Sequence, residues 1–424
     1  MNAKKTNAIV IDDVVCNPPC SYSRDCPLYN NNDERNYCNT VKQLCGAIQD
    51  AKSQSIAAAP VAGLHLSNQE TGSLLLSPGF VSSIFDLDAD TGISQIQKEF
   101  LACLTGGKLD PKFLYFGDEV ARKHLNLMQG GDYPLFPKAL GLLRNRKNLE
   151  SIAKRVMQNS QDIRLVSLGI GNGQKDETLI RKILESTEKT KVLEYFIFDI
   201  SSYMLREGIQ HIQNNLPEYS DRLSIKVFNM DFIKIDSILN KGENTADKTN
   251  LFLLLGNTLG NFDEHVLLYR IHSAMTKNDL ILIDNQLIES NKLETEVKSN
   301  LEKPYRSSSD DNLCWSILKR AGLTPADGKL DVNLSEEGES IVTIRKTFQL
   351  YRQKTITVLE YSGQCPKNSR ITLYQSNKYT KEKLREIITD AGFDVAENYG
   401  DDNYALILAR KIDVSGSEVP SNFS

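Results

Sequence analysis

The chain has 424 residues, with 50 Lys and Arg against 55 Asp and Glu, a formal net charge of −5. At about 150 residues per domain, that length allows two or three domains and a large buried core. A hydrophobic share of 40% excludes a largely disordered chain, the acidic balance argues against a nucleic-acid-wrapping surface, and no apolar run reaches the ~18 residues of a membrane-crossing helix. Lys4 and Lys5 are followed by no sustained apolar core. The expectation is therefore a cytoplasmic chain with reduced thiols.

Five of the eight cysteines fall in the first 45 residues: Cys16, Cys20, Cys26, Cys38 and Cys45. Their spacing, C-x3-C-x5-C-x11-C-x6-C, matches neither the paired zinc patterns nor the short iron–sulfur runs. Pro18, Pro19 and Pro27 exclude a helix and leave a loop able to wrap an ion. The segment reads as a metal-ion or iron–sulfur site, with ligands from Cys16, Cys20, Cys26 and Cys38, as unliganded thiols, or, least favoured in an intracellular chain, as disulfides. Cys103, Cys314 and Cys365 read as packing thiols.

Residues 51–92 carry no strong periodicity. From 93 to 160 the spacing predicts helices: Ile96, Phe100, Leu101 and Leu104 share one face, a second run covers Leu114–Met128, and a third follows from Lys138 to Gln158. The pattern changes at Ile163. Short apolar strands at 163–168, Leu193–Ile200, Ser224–Phe228, Leu251–Leu255 and Leu280–Asn285 alternate with helices, one carrying Leu179, Ile180, Ile183 and Leu184 on a single face. That alternation predicts a doubly wound parallel sheet. Beyond residue 300 come a helix at Asp311–Ala321, half-buried antiparallel strands at Ile341–Phe348 and Thr355–Tyr361, a helix at Lys381–Ala391 and a returning strand at Tyr404–Ala409.

The strongest local signal is Ser167-Leu-Gly169-Ile-Gly171-Asn-Gly173, between a strand and a helix. Glycines there let the backbone turn sharply and approach a ligand. The next strand ends in Asp199, suited to both hydroxyls of a ribose. The third is followed by Asp231 and Phe232, suited to an adenine amine and ring. The ligand is a nicotinamide dinucleotide or S-adenosylmethionine. G-x-G-x-G spacing departs from the dinucleotide fingerprint. Asp176 and Glu177 in the first helical turn would repel a pyrophosphate, and Lys175 can pair with a carboxylate. The balance favours S-adenosylmethionine. The fourth strand runs into Gly256-Asn257-Thr-Leu-Gly260-Asn261, a polar loop whose asparagines can hold an amine without being charged.

Gly169-Ile-Gly-Asn-Gly-Gln-Lys175, Asp199, the Asp231–Phe232 pair and the loop LLGNTLGNF together resemble the histidine-specific methyltransferase family, over roughly residues 110–410. Its members trimethylate the α-amino group of histidine on the way to ergothioneine, and a related branch methylates prenylated tryptophan. The resemblance implies an α/β fold, a Rossmann-like doubly wound methyltransferase sheet with an inserted α+β substrate domain; an N-terminal helical and Cys-rich extension precedes it, whose first 50 residues have no counterpart in the family. It divides the chain into a Cys-rich segment (1–60), a helical region covering the site (61–160), the cofactor domain (161–290), the insertion (291–375), the return to the sheet (376–412) and a flexible tail (413–424). S-adenosylmethionine would be held by Gly169, Gly171, Gly173, Lys175, Asp199, Asp231 and Phe232. Asn261 and Tyr133 would act on the amine, with Tyr115, Tyr305 and Asn257 also facing substrate.

Two departures follow. Ser167 stands where the family has an acid. Histidine-using members close the insertion with Glu-x-Ser-x-Lys-Tyr/Phe, whose Glu and Ser bind the imidazole; here the stretch is Tyr374-Gln-Ser376-Asn-Lys-Tyr379. An imidazole N–H facing Tyr374 loses a charged acceptor, at about 1–3 kcal/mol. The expected activity is therefore N-methylation of the amino group of an amino acid or small amine other than free histidine. A donating phenol at 374 would suit a carbonyl, a carboxylate or an aromatic face. The alternative is a non-catalytic S-adenosylmethionine-binding, metal-sensing or redox-sensing protein on the same scaffold. The expected partner is a small-molecule amine, with no nucleic acid and no membrane.

Overall fold

The computed structural model describes residues 9–11, 14–16, 81–86, 92–130, 133–158, 162–239, 248–289, 295–338 and 340–412. A short antiparallel hairpin pairs 9–11 with 14–16. The main sheet has eight strands: β1 (Val81–Asp86), β2 (Ile163–Leu168), β3 (Leu193–Asp199), β4 (Leu223–Asn229), β5 (Thr249–Leu254), β6 (Leu280–Gln286), and, after a long insertion, β12 (Phe393–Asn398) and β13 (Tyr404–Lys411). Their order is β12-β13-β6-β5-β2-β3-β4-β1. All pairings from β1 to β6 are parallel; β13 runs antiparallel to both neighbours. Strand order reverses beside β2, which pairs with β3 on one side and β5 on the other, so the cleft for a ligand lies beyond the carboxyl ends of these strands.

The strands read as unbroken apolar runs because both faces are covered. Leu165, Tyr195, Ile197, Leu251, Leu253 and Leu282 point to one core, shared with α2 (Asp118–Gln129), α3 (Leu135–Arg144), α4 (Arg146–Met157), α5 (Gln174–Ser186) and α6 (Ser202–Asn215). Their neighbours Val166, Phe196, Phe198, Phe252, Leu254 and Ile283 point to the other, covered by α7 (Glu264–Ala274) and α10 (Lys381–Asp390). The expected single helix at 138–158 is two. Asn145 adopts an extended conformation and its side chain accepts from the Lys147 N–H at 3.0 Å, capping α4 and ending α3. Strand β1, for which the sequence showed no periodic signal, lies at the sheet edge beside β4.

The insertion begins with α8 (Thr295–Glu302) and α9 (Ser308–Arg320), followed by the antiparallel strands β7 (Gly328–Glu337), β8 (Ile341–Leu350) and β11 (Arg370–Tyr379), in the order β11-β8-β7. The strand expected at 355–361 is instead a hairpin, β9 (Lys354–Val358) with β10 (Tyr361–Cys365), turning at Leu359 with φ 53. A third core joins Leu313, Cys314 and Ile317 of α9 to Ile344, Phe348, Ile371 and Leu373, and takes in Phe100, Leu101 and Leu104 of α1 (Gly92–Gly106). Helix α1 thus completes the insertion, while α2 contributes to both this core and that of the main sheet. Strand β11 returns beside the exit of β6, with Leu287 bridging Tyr379. This carries the insertion's last strand over the carboxyl edge of the main sheet.

Candidate functional site

The three turn glycines all have positive φ: 90 at Gly169, 56 at Gly171 and 76 at Gly173. Their surroundings separate their roles. A Cβ on Gly173 would lie 2.6 Å from the Gly208 carbonyl oxygen, so this glycine lets α5 pack against α6. A Cβ on Gly169 would meet only Phe232 Cε1, at 3.8 Å, and one on Gly171 only Met128 Cε, at 4.0 Å. The first two glycines therefore line a cradle with room above the backbone. The Gly169 N–H donates to the Phe198 carbonyl at 2.8 Å, tying the turn to the end of β3.

Asp199, at that end, is buried, and its carboxylate accepts from the Ser201 N–H at 2.9 Å. It also lies against the amides of Ile170 and Gly171, which joins it to the turn. Burial outweighs these donors and raises its pKa to about 7. Asp231 accepts from the Ile233 N–H at 3.1 Å and opens the short turn Phe232–Lys234. The Phe232 ring lies between Gly169 and Phe262, with its centroid 5.4 Å from that of Phe262. The turn, the acidic strand ends and the aromatic ring meet in one cleft. This cradle, with a carboxylate at the end of β3 and a ring beside it, fits the nucleoside of S-adenosylmethionine.

Lys175 is engaged differently from expectation. Its Nζ donates to the buried Asp284 carboxylate at 3.1 Å and sits 5.9 Å from the Phe136 ring centroid. The same carboxylate accepts from the Gly256 and Asn257 N–H groups at 2.6 and 2.7 Å. Asp284 gave no sequence signal beyond an acid at the end of an apolar strand, yet it organises the whole loop after β5. Asn257, at φ 59, accepts from the Gln286 N–H at 2.8 Å and lies 3.5 Å from Ser376 Oγ. It shapes the loop. Asp176 and Glu177, in the first turn of α5, are both engaged by neighbouring side chains. Asp176 accepts from the Tyr195 hydroxyl at 2.6 Å inside the core, with Ser167 against it, and Glu177 pairs with Arg181 at 2.9 Å. The glycine spacing and the β3 and β4 ends carry the choice of ligand.

Four tyrosines from three separate regions converge beyond this loop. Tyr115 follows a one-turn helix and its hydroxyl lies 3.5 Å from Asn261 Nδ2. Tyr133 sits between α2 and α3, in electrostatic reach of Tyr115, Tyr305, Asp284 and Asp310. Tyr305 faces Ser376 and Asp310, and its ring centroid is 6.0 Å from that of Tyr374. Burial raises Tyr115 and Tyr305 to about 12, and Tyr133 and Tyr374 well above the ordinary phenol value, so all four stay protonated at neutral pH. Gly260 lets β11 approach: a Cβ there would lie 2.3 Å from the Asn377 carbonyl oxygen.

The Tyr374 hydroxyl donates to Asp310 Oδ1 at 2.5 Å. A phenol whose proton is committed there presents an acceptor, not a donor, to anything else. That corrects the expectation of a carbonyl or carboxylate opposite Tyr374. Asp310 Oδ2 is paired in turn with Lys346 at 2.9 Å. Neither residue was singled out in the sequence: they lie on α9 and β8, and only packing joins them to β11. Ser376 receives a hydrogen bond from the buried Lys378 at 2.8 Å. The cysteine-ligand expectation for Cys20, Cys26, Cys38 and Cys45 lies outside the described residues, as does the Cys16 side chain. Among the described residues no cluster of three or more metal-ligating side chains occurs, and Cys103, Cys314 and Cys365 are free thiols. No described helix is long and apolar enough to cross a membrane.

No curated protein matches the chain in sequence. Among solved structures, a S-adenosylmethionine-dependent methyltransferase from Clostridium acetobutylicum is 10% identical, with a TM-score of 0.33, covering 69% of this chain and 97% of that one. The 1,6-didemethyltoxoflavin-N1-methyltransferase of Burkholderia thailandensis is 10% identical, with a TM-score of 0.34 and coverage of 70% and 90%. Human N-acetylserotonin methyltransferase is 14% identical, with a TM-score of 0.33 and coverage of 76% and 68%. Likeness at this level says nothing of the substrate. Residues 96–306, from α1 through the main sheet to Tyr305, match the family described as histidine-specific methyltransferase, SAM-dependent. Over those residues the chain belongs to this family, and it is a S-adenosylmethionine-dependent methyltransferase.

Proposed function

We propose that the protein methylates the amino group of an amino acid or related small amine, and that free histidine is a poor acceptor. The observation that carries this reading is the convergence of Tyr115, Tyr133, Tyr305 and Tyr374 with Asn261 and Ser376 at the mouth of the glycine cradle. Such a wall encloses an aromatic or apolar side chain and leaves an amide to position the amine.

S-adenosylmethionine, when bound, supplies a methyl group on a sulfonium, and the residues of the chain have to hold an amine lone pair in line at ~3–3.5 Å. Asn261 and Tyr115 are placed to orient the amine. Tyr133 closes the cavity against water, which favours transfer of charge from sulfur to nitrogen. The imidazole side chain is disfavoured because Asp310 is committed to Tyr374 and Lys346, so no carboxylate is left to accept from it. The Tyr374 oxygen, its hydrogen bond given to Asp310, suits a neutral N–H donor, and the surrounding rings suit an aromatic face.

The test is a panel of amino acids and amines incubated with S-adenosylmethionine carrying a labelled methyl group. Transfer to aromatic amino acids above the level with histidine is expected. Efficient transfer to histidine, or transfer to no amine, would overturn the reading.

A further inference from the structure

Ser376 Oγ is a junction. Lys378 Nζ donates to it at 2.8 Å, Asn257 Nδ2 lies at 3.5 Å, and Tyr305 faces it. Through Tyr305 the junction reaches Tyr133, and from there Tyr115 and Asn261. Lys378 itself is fully buried on β11, two residues from Ser376 and on the same strand face. Across the sheet, Lys378 is opposite Val342 and Ser376 is opposite Ile344, both apolar. Glu264 of α7 is taken by Asn377 and Tyr379, on the alternate strand face. Asp284 and Asp310 are held by Lys175 and Lys346. Among the described residues no carboxylate pairs with Lys378.

A buried ammonium without an anion is destabilised relative to the neutral amine. Burial is the one cause of the shift at Lys378, and it lowers the pKa to about 7. Tyr115, Tyr133, Tyr305 and Tyr374 on this side of the cavity, and Tyr404 beside Asp284, are all shifted upward, and none of these phenols can keep a proton taken from an ammonium.

We propose that Lys378 receives the proton of the acceptor amine through the hydroxyls of Ser376 and Tyr305. This rests on the amine-methylation reading. An amine entering as an ammonium has no lone pair. With Lys378 neutral, the Ser376 hydroxyl turns to donate to its lone pair: the ammonium's proton passes to Tyr305 as the Tyr305 proton moves to Ser376 and the Ser376 proton to Lys378, which goes from –NH2 to –NH3+. The nitrogen lone pair then forms the N–CH3 bond, the S–CH3 bond breaks with its electron pair left on sulfur, and the positive charge passes from sulfur to nitrogen. Lys378 returns its proton to solvent before the next cycle.

The test combines lysine-selective 13C NMR of the full chain with methyl-transfer pH profiles of the parent, Lys378→Met and Lys378→Arg, using the best amine from the panel. One Cε resonance, absent in both variants, should titrate with a midpoint near 7. Lys378→Met should lower kcat at pH 7 by about 10²-fold or more, leave S-adenosylhomocysteine affinity within about twofold, and recover activity above pH ~9, where a free amine deprotonates unaided. Lys378→Arg should not rescue it. A parent spectrum in which every lysine Cε titrates near the ordinary ~10.4 and none near 7 would overturn the proposal, even if neither variant folds. So would a Lys378→Met enzyme with the parental pH profile. Failure of the parent to methylate any amine would overturn the amine reading itself, and this inference with it.

Discussion

The Tyr374 hydroxyl donates to Asp310 at 2.5 Å, and Lys346 pairs with the other oxygen of that carboxylate at 2.9 Å. A negative charge thus lies behind Tyr374, where the resemblance to histidine-using methyltransferases leads one to expect a carboxylate. Asp310 has its pKa raised by burial and is countered chiefly by Lys346. Tyr374 is bonded to that charge, and Tyr305 and Tyr133 lie within its reach.

This geometry changes the outcome expected of restoring the carboxylate. Tyr374→Glu alone would set two acids side by side, and such a pair shares one proton. Tyr374→Glu with Asp310→Asn should therefore raise kcat/KM for histidine more than Tyr374→Glu does, by roughly tenfold for a charge-assisted bond. Equal values for the two variants would show that Asp310 does not reach the acceptor side chain.

Asp199 should make cofactor affinity depend on pH. Its folded-state pKa, about 7, lies above the ordinary carboxylate value. Between pH ~4 and ~7 the unliganded fold therefore binds more protons than the unfolded chain, and this group's contribution to stability falls as pH rises through that window. Ribose hydroxyls donate to the charged form, so S-adenosylhomocysteine should bind more tightly as pH rises to about 7 and level off above it. Asp199→Asn should weaken binding by about 1–3 kcal/mol and flatten the profile. Calorimetric titration from pH 5.5 to 8.5 reads both.

The glycines of the turn should separate in mutation. Gly173→Ala forces a Cβ to within 2.6 Å of the Gly208 carbonyl and should cost about 1–3 kcal/mol of folding stability, from overpacking and from the positive φ. Gly171→Ala meets open room and should be milder in thermal unfolding while weakening S-adenosylhomocysteine binding. Equal melting losses in the two variants would contradict this division.

Lys175→Met should be costly because Asp284 is fully buried and also holds the Gly256 and Asn257 amides. Removing one partner of such a pair costs about 3–5 kcal/mol. Lys175→Met with Asp284→Asn should regain part of that loss in denaturant unfolding. A double variant no more stable than the single would mean that Lys175 does not balance this charge.

The amino-acid sequence by itself determined the central strands β2–β6 of the main sheet and the returning β13. Runs such as LFLLL and LILID are apolar on both faces, and only a strand covered by helices on both sides satisfies them, so the β2–β6 alternation and the ligand-side ends at Gly169, Asp199 and Asp231 followed from local pattern. It also placed Ser376 and Tyr374 on the insertion side and Asn261 on the loop. The split of 138–158 at Asn145 escaped a reading based on periodicity, because a cap interrupts a helix without interrupting its apolar spacing. Edge strand β1 gave no signal because one row of it lacks a partner strand and needs no apolar continuity. What tertiary structure alone decided are the partners of the charges. Lys175 with Asp284, Asp310 with Tyr374 and Lys346, and Lys378 with Ser376 depend on three elements meeting over the carboxyl edge of the sheet. Burial then sets each group's protonation, through a desolvation that no spacing of residues along a chain encodes.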